Sequence, residues 1–363
     1  MVSFIHTGDL HLGLKFHNVS FNRDKAKDRR RELWTTFENI VDHGDRNGFD
    51  FLLIAGDLFE SAYFTIADIN RIRDSFKGAE KINIVISAGN HDYMGRNSLY
   101  SKVEWPENVH IFGPGVIERK EFPHLNTVIY GYSWDSGILR DKKLLEGLGE
   151  QVDQSKNNIL LLHGDLAADS DYLPLNMREL NSLNMDYIGL GHIHKPQIFS
   201  QKIAYCGCPE PLNFGEKEER GIIQGYIENK ETRVEFLPFS KRKFIESELE
   251  LEEDMGYPDI VKLVKAINLG NKEVDFFRVN LGGYIQRGID IKNLKRDLED
   301  SFYHIEIIDR TRWDYDLQEL EMEHEGNIIQ HFIQAMREKD LDNPITKRAL
   351  YLGLEELLRG DNR

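Results

Sequence analysis

Asp50-Phe51-Leu52-Leu53-Ile54-Ala55-Gly56-Asp57 is the stretch whose reading decides the fold. Its apolar run has no polar interruption, as expected of a strand buried on both faces, and it closes on a Gly-Asp turn that leaves a carboxylate at the strand end. The same grammar recurs along the chain. An apolar strand at 2–6 leads to Asp9-Leu10-His11, one at 82–88 to Gly89-Asn90-His91-Asp92, one at 158–162 to His163-Gly164, and one at 186–190 to Gly191-His192-Ile193-His194. A further strand is expected at 126–132.

Helices fall between these strands. In 29–43, Leu33, Trp34, Phe37, Ile40 and Val41 form an apolar stripe at helical spacing, and in 65–77 Ile66, Ile69, Ile72 and Phe76 do the same. The alternation predicts an α/β layered domain whose strand ends meet at one edge, where open α/β folds place their sites. Strands at 203–206, 221–227 and 232–237 are expected to be antiparallel and to close a second sheet. Pro238-Phe239-Ser240-Lys241-Arg242-Lys243 reads as a domain edge. Beyond it a strand (244–251), helix (258–268), strand (275–281), helix (290–302) and strand (304–309) make a β-α-β-α-β unit. A charged stretch at 312–325 precedes amphipathic helices at 326–338 and 344–359. The expected division is 1–238, 239–312 and 313–363.

With 363 residues, 40% hydrophobic and 30% charged, the chain can bury a sizeable core. Its start shows no secretory leader and no run approaches a membrane span, so a cytoplasmic protein with no membrane contact is expected. Cys206 and Cys208 are too close to staple a fold and are expected as small buried thiols. A net charge of -16 argues against a protein that coats nucleic acid through a positive surface everywhere.

The strand ends together offer two aspartates (Asp9, Asp57), an asparagine (Asn90) and four histidines (His11, His163, His192, His194). This mixed oxygen and nitrogen set suits two adjacent transition metals, manganese, iron or zinc rather than calcium. Two divalent cations about 3.5–4 Å apart clamp a phosphate and acidify a water, so the set points to hydrolysis of a phosphoester. A bridging carboxylate is required, and Asp57 is the natural candidate.

The ordered set Asp-x-His, Gly-Asp, Gly-Asn-His-Asp, His and Gly-His-x-His resembles the calcineurin-like metallophosphoesterase superfamily. Asp9-Leu10-His11-Leu12-Gly13 and Ala55-Gly56-Asp57-Leu58-Phe59 are similar to the SbcD-like DNA repair exonucleases, and the short helical tail resembles their YhaO-type branch. The resemblance implies a two-sheet β-sandwich flanked by helices, with a smaller α+β capping domain at 239–312 and a partner-binding helical tail at 313–363. It implies two metals, manganese first, with Asp9, His11, Asp57 and His194 around one and Asp57, Asn90, His163 and His192 around the other. His91 would be the non-ligand histidine that stabilises the phosphate charge or protonates the leaving oxygen. Asp92 either orients that imidazole or caps the loop. There is one departure: many nucleases of this family carry, after Gly-Asp-Leu-Phe, a histidine that helps guide a DNA end, and here the residue is Glu60.

The resemblance further implies DNA as substrate, a large coiled-coil ATPase of the SbcC type as partner, and a homodimer. Tyr93, Arg96 and Asn97, just past the Gly-Asn-His-Asp loop, either contact the substrate's sugar or base or support the loop. The basic run at 23–31 either holds a phosphate backbone or pairs with its own Asp24 and Asp28, and Lys241-Arg242-Lys243 either grips DNA or is solvated linker charge. Two other functions share part of the evidence. The same site chemistry serves a phosphatase or phosphodiesterase of small phosphoesters, and a non-cutting scaffold would keep the fold while losing a ligand, which this chain has not done.

Overall fold

The computed structural model describes residues 1–16, 21–286 and 288–360, and they form two compact units, Met1–Phe244 and Ile245–Arg363. In the first unit the elements run β1 (Val2–Thr7), α1 (Arg23–Arg46), β2 (Phe51–Ala55), α2 (Ile66–Gly78), β3 (Asn83–Ser87), β4 (Val109–Ile111), β5 (Glu118–Phe122), β6 (Thr127–Gly131) and β7 (Asn157–His163). They continue with α3 (Met177–Ser182), β8 (Tyr187–Gly191), β9 (Gln197–Ser200), β10 (Ile203–Tyr205), β11 (Gly221–Glu228) and β12 (Glu231–Pro238).

These strands build two six-stranded sheets, ordered β12-β11-β1-β2-β3-β4 and β5-β6-β7-β8-β10-β9. The centre of each is parallel, β1 to β4 in one and β6, β7, β8 and β10 in the other. Successive side chains on a strand point to opposite faces, so each central strand feeds two apolar layers. Phe51, Leu53 and Ala55 meet Ile129, Ile159 and Leu161 between the sheets. Leu160 and Leu162 turn outward and pack with Leu173, Leu180 and Leu183. On the outer side of the first sheet α1 and α2 bury Leu33, Phe37, Ile40, Ile69, Ile72 and Phe76. This is the expected sandwich flanked by helices.

One expectation changes. Of the three later strands only β10 joins the second sheet, parallel to β8; β11 and β12 return to the first sheet, with β11 antiparallel to β1. The short β10 runs beside β8 through three residue pairs, whereas Gly221–Glu228 is long and apolar enough to cover the open edge of β1.

The division between units falls after Phe244, later than the break expected at 238, because the intervening residues are tied to the first unit. Phe239 N–H donates to the Arg220 carbonyl, Lys241 N–H to Glu210, and the Arg242 guanidinium to Glu32, while the Phe244 ring packs edge-on to Phe214.

The second unit carries β13 (Phe244–Leu251), α4 (Tyr257–Lys265), β14 (Phe276–Gln286), α5 (Ile291–Leu298), β15 (His304–Asp309) and β16 (Arg312–Asp314), then α6 (Leu317–Glu323), α7 (Ile328–Arg337) and α8 (Pro344–Gly360). Its sheet runs β13-β14-β15, with β16 on β14. Ile260, Val264, Leu294 and Leu298 of α4 and α5 cover one apolar cluster. Leu320, Ile329, Ile333, Leu350 and Leu354 form a second among α6 to α8, against which Tyr284 of β14 packs, so these helices and the sheet share one compact unit. Among the described residues no helix is long and apolar enough to cross a membrane.

Candidate metal centre

Every candidate ligand sits at, or within three residues of, the C-terminal end of a central strand, apart from His11 four residues beyond β1: Asp9 follows β1, Asp57 β2 and Asn90 β3, His163 ends β7, and His192 and His194 follow β8. Two loops are zipped together. Asp9 N–H donates to the Gly56 carbonyl, His11 N–H to Asp57 and Leu12 N–H to Leu58, at 3.0, 3.0 and 3.1 Å. Across the sandwich, His192 N–H lies 3.1 Å from each Asp9 carboxylate oxygen.

Glycines allow this approach. A Cβ on Gly56, whose φ is +87°, would lie 2.3 Å from His163 Nδ1, and one on Gly191 would lie 1.8 Å from the Ala55 carbonyl oxygen. Asp9, His11, Asp57 and His192 themselves hold φ of +50°, +46°, +50° and +94°. Such left-handed backbone in non-glycine residues costs energy and concentrates at functional sites.

The structure brings Asp9, His11, Asp57, Asn90, His163 and His194 together, and sets the His192 ring edge-on to His163 with ring centres 5.2 Å apart. Asp9, His11 and His194 form one group whose donor atoms all lie within 4.8 Å of one another, and Asp9, Asp57 and His163 form another. His11 Nδ1 donates to Glu60 at 2.7 Å and His194 Nδ1 donates to Glu216 at 2.8 Å. A carboxylate only accepts, so each Nδ1 carries a proton and each ring turns its Nε2 towards the centre. Those two Nε2 atoms are 3.1 Å apart. With Asp9 beside them, these two nitrogens make a group whose donor atoms could hold a cation. His163 Nδ1 donates to the Ala55 carbonyl at 2.8 Å, and its Nε2 lies 2.9 Å from Asn90 Oδ1 and 3.4 Å from Asp57 Oδ2. The donor set fits divalent cations of intermediate hardness.

Electrostatics agree. Burial works against the Asp57 charge, but His163, then His11 and His91, outweigh it and hold the carboxyl far below its usual range. Burial likewise opposes charge on His163, and Asp57 more than compensates, raising it to about 9. His192 is pushed down to about 4 by burial and by the neighbouring His163.

His91 stands at the mouth, its side chain 43% exposed, with Nδ1 2.9 Å from Glu60 and its backbone N–H 2.8 Å from Asp57 Oδ1. The hydrogen bond to Glu60 is the main reason its pKa rises to about 9. Asp92 does not reach the His91 ring among its hydrogen bonds. Its oxygens accept from Asp57 N–H, Leu58 N–H, Gly89 N–H and the Tyr100 hydroxyl, so it takes the loop-capping alternative. Burial, then the charge of Asp57, pushes its pKa up to about 6.

Tyr93, Arg96 and Asn97 line one recess with Ser61, Phe64 and Ser98, joined to the centre through the Ser61 N–H, which donates to the His91 carbonyl. The basic run at 23–31 is divided: Arg29 is fully buried against Glu32 and Glu210, while Arg23, Lys27 and Arg31 are exposed. Arg242 is also buried, on Glu32.

Sequence reasoning missed Glu216, which lies in a charged loop of ordinary appearance, and Tyr172, whose ring centre is 4.8 Å from that of His192. Glu60 reads in the sequence as a departure from the family pattern, and nothing in the sequence shows its two contacts. Cys206 and Cys208 are free and buried; burial pushes both thiols up, and Cys208 Sγ donates to Glu216.

Residues 2–196 match the family model described as calcineurin-like phosphoesterase. The chain is 30% identical over 250 residues to the uncharacterized metallophosphoesterase YhaO of Bacillus subtilis, covering 65% of this chain and 60% of that protein. It is 25% identical over 352 residues to the D component of the nuclease SbcCD of Staphylococcus epidermidis, covering 84% of this chain and 89% of that one. To the DNA double-strand break repair protein Mre11 of Archaeoglobus fulgidus it is 27% identical over 306 residues, 75% of this chain and 66% of that protein.

Proposed function

The chain belongs to the calcineurin-like phosphoesterase family, and from that premise we propose that it is a two-metal DNA nuclease subunit with manganese as its metal. The observation that carries this reading is the pair of groups Asp9, His11, His194 and Asp9, Asp57, His163, each with donor atoms within 4.8 Å of one another and sharing Asp9, with Asn90 Oδ1 2.9 Å from His163. The direction toward DNA is supported by similarity, over 84% of the chain, to a protein named as part of a nuclease.

In this reading Asp9, His11, Asp57 and His194 hold one cation, and Asp57, Asn90, His163 and His192 hold the second. When bound, such cations polarise phosphoryl oxygens and acidify water, which makes in-line attack on a phosphodiester feasible. His91 is the group of this chain that acts on the leaving side. Its Nδ1 is held by the Glu60 carboxylate, which favours the protonated ring, so Nε2–H would pass a proton to the departing 3′ oxygen.

The recess at Tyr93, Arg96 and Asn97 takes the sugar or base beside the scissile phosphate. Arg23, Lys27 and Arg31 at the start of α1 neutralise backbone phosphates. The apolar stripes Phe332, Ile333, Met336 of α7 and Leu350, Leu354, Leu357, Leu358 of α8, candidates either for docking or for packing on the protein itself, pack into the second unit's own cluster; Ile328, Ile345 and Leu352 stay exposed on these helices and are where an SbcC-like coiled-coil ATPase would dock. The working form is a cytoplasmic homodimer.

With manganese the purified protein is expected to degrade single-stranded or nicked DNA, and His91→Ala to lose about 100-fold or more in turnover while still binding two metals by calorimetry. If the wild type leaves every DNA intact, with and without its ATPase, yet turns over cyclic nucleotides or an aryl phosphodiester, its substrates are small phosphoesters.

A further inference from the structure

Glu60 joins two histidines that the chemistry uses differently. Its Oε1 accepts from His11 Nδ1 at 2.7 Å and its Oε2 accepts from His91 Nδ1 at 2.9 Å. The His11 and His91 rings stand edge to face, with centres 4.8 Å apart and an interplanar angle of 83°. The carboxylate is buried, and the backbone around it is fixed to the loops that carry both histidines: Glu60 N–H donates to the Leu12 carbonyl at 2.9 Å, and Ser61 N–H donates to the His91 carbonyl at 3.1 Å. One side chain on one turn therefore sets the rotation of both rings through their Nδ1 atoms and leaves both Nε2 atoms uncommitted to Glu60.

We propose that Glu60 is a positioning residue that couples the metal site to the proton donor, holding the ligand His11 and the non-ligand His91 with the two oxygens of a single carboxylate. The inference rests on the reading of His11 as a ligand and His91 as a proton donor. It also gives the departure at this position a role. A histidine here would add a third imidazole at the mouth; a glutamate instead commits both its oxygens to rings already present. Any shift of His11, such as metal loss would allow, is passed to His91 through one shared group.

Glutamine is the informative substitution, because it keeps the shape but offers one acceptor and one NH2 donor, and so cannot accept from two Nδ1–H groups with separate oxygens. With manganese and bis(p-nitrophenyl) phosphate as probes, Glu60→Gln is expected to lower kcat about 10-fold or more with little change in KM, and to weaken one of two calorimetric manganese sites about 10- to 100-fold. In a His91→Ala background the same change should cost no further kcat but should still weaken that manganese site. Imidazole nitrogen NMR of the metal-free protein should show both Nδ1–H signals in the wild type and the loss of at least one in Glu60→Gln.

Effects on kcat that add fully to those of His91→Ala would overturn the proposal, as would a Glu60→Gln protein whose kcat and metal affinities stay within about two-fold of wild type. Glu60→Asp, too short to span both rings, should fold and resemble Glu60→Gln; wild-type behaviour would again reject the coupling. If no phosphoester is turned over, the functional reading fails, and the manganese titration and the imidazole signals still decide the role of Glu60.

Discussion

Asp92 shows what a single residue contributes that its neighbours in sequence do not announce. Next to His91 it reads as a partner for that imidazole, yet it accepts from three backbone amides and the Tyr100 hydroxyl, at 2.6 to 3.2 Å, and so ties the loop after β3 to the turn carrying Asp57. Removing it leaves buried donors unpaired, each costing about 1–3 kcal/mol. Asp92→Ala should therefore lose about 3 kcal/mol or more in urea unfolding; a variant of wild-type stability that had only lost activity would restore the catalytic alternative. His6 makes a prediction about pH. It is fully buried, its Nδ1 is 2.8 Å from the Tyr187 hydroxyl, and burial lowers its pKa to about 3. The folded state then stays neutral where the unfolded chain takes up a proton. The stabilising contribution is complete above pH 6.5 and drains away as pH falls from 6.5 toward about 3, at about 1.4 kcal/mol per pH unit. Between about pH 7.5 and pH 5, urea midpoints should fall less in His6→Gln than in wild type, and equal slopes would show that His6 does not carry the effect. The ligand types were legible in the sequence because each follows an apolar run; the left-handed backbone at Asp9, His11, Asp57 and His192 was not, since nothing in a residue's identity records the φ its neighbours impose.

At the scale of elements, legibility follows burial. The central strands β2, β3, β7 and β8 have apolar centres because they are covered on both faces, and their ends were readable to within a residue or so. The edges hide: β5 reads Glu-Arg-Lys-Glu-Phe, β9 is exposed along its length, and β4 is three residues of intermediate burial. Charged edge strands discourage pairing with other chains and so lose the pattern by which strands are recognised. Sheet membership of β11 was also unreadable, since an apolar strand fits either open edge and only the register with β1 decides. That β2 and β8, from different sheets, converge at the ligands depends on one residue without a side chain. A Cβ at Gly191 would sit 1.8 Å from the Ala55 carbonyl oxygen, a backbone atom with no rotamer to yield. Gly191→Ala should cost about 1–3 kcal/mol in stability and weaken manganese binding measured by calorimetry, because His192 follows directly and Gly56 flanks Ala55. A variant with native stability and full metal affinity would show that the two strand ends can separate without consequence.

For the whole molecule, the decisive fact is that all seven donors, His91 and the recess at Tyr93 lie in the first compact unit, Met1–Phe244, and none in the second. Chemistry on a small phosphodiester needs only the donors and a proton source. Binding of DNA by a chain of net charge -16 needs local basic tracks and whatever area a second surface adds, since the bulk charge repels a polyanion. These requirements can be separated by cutting the chain after Phe244, where Phe244 still packs on Phe214 and the two sheets keep every strand from β1 to β12. The fragment 1–244 with manganese should hydrolyse bis(p-nitrophenyl) phosphate within a few-fold of the full chain and lose that activity to a chelator. Its cleavage of DNA should fall much further, and the difference should widen as salt is raised, because phosphate contacts are screened while the ester's chemistry is not. Equal losses on both substrates would mean that the second unit supports the centre itself; undiminished DNA cleavage would remove that unit from substrate binding.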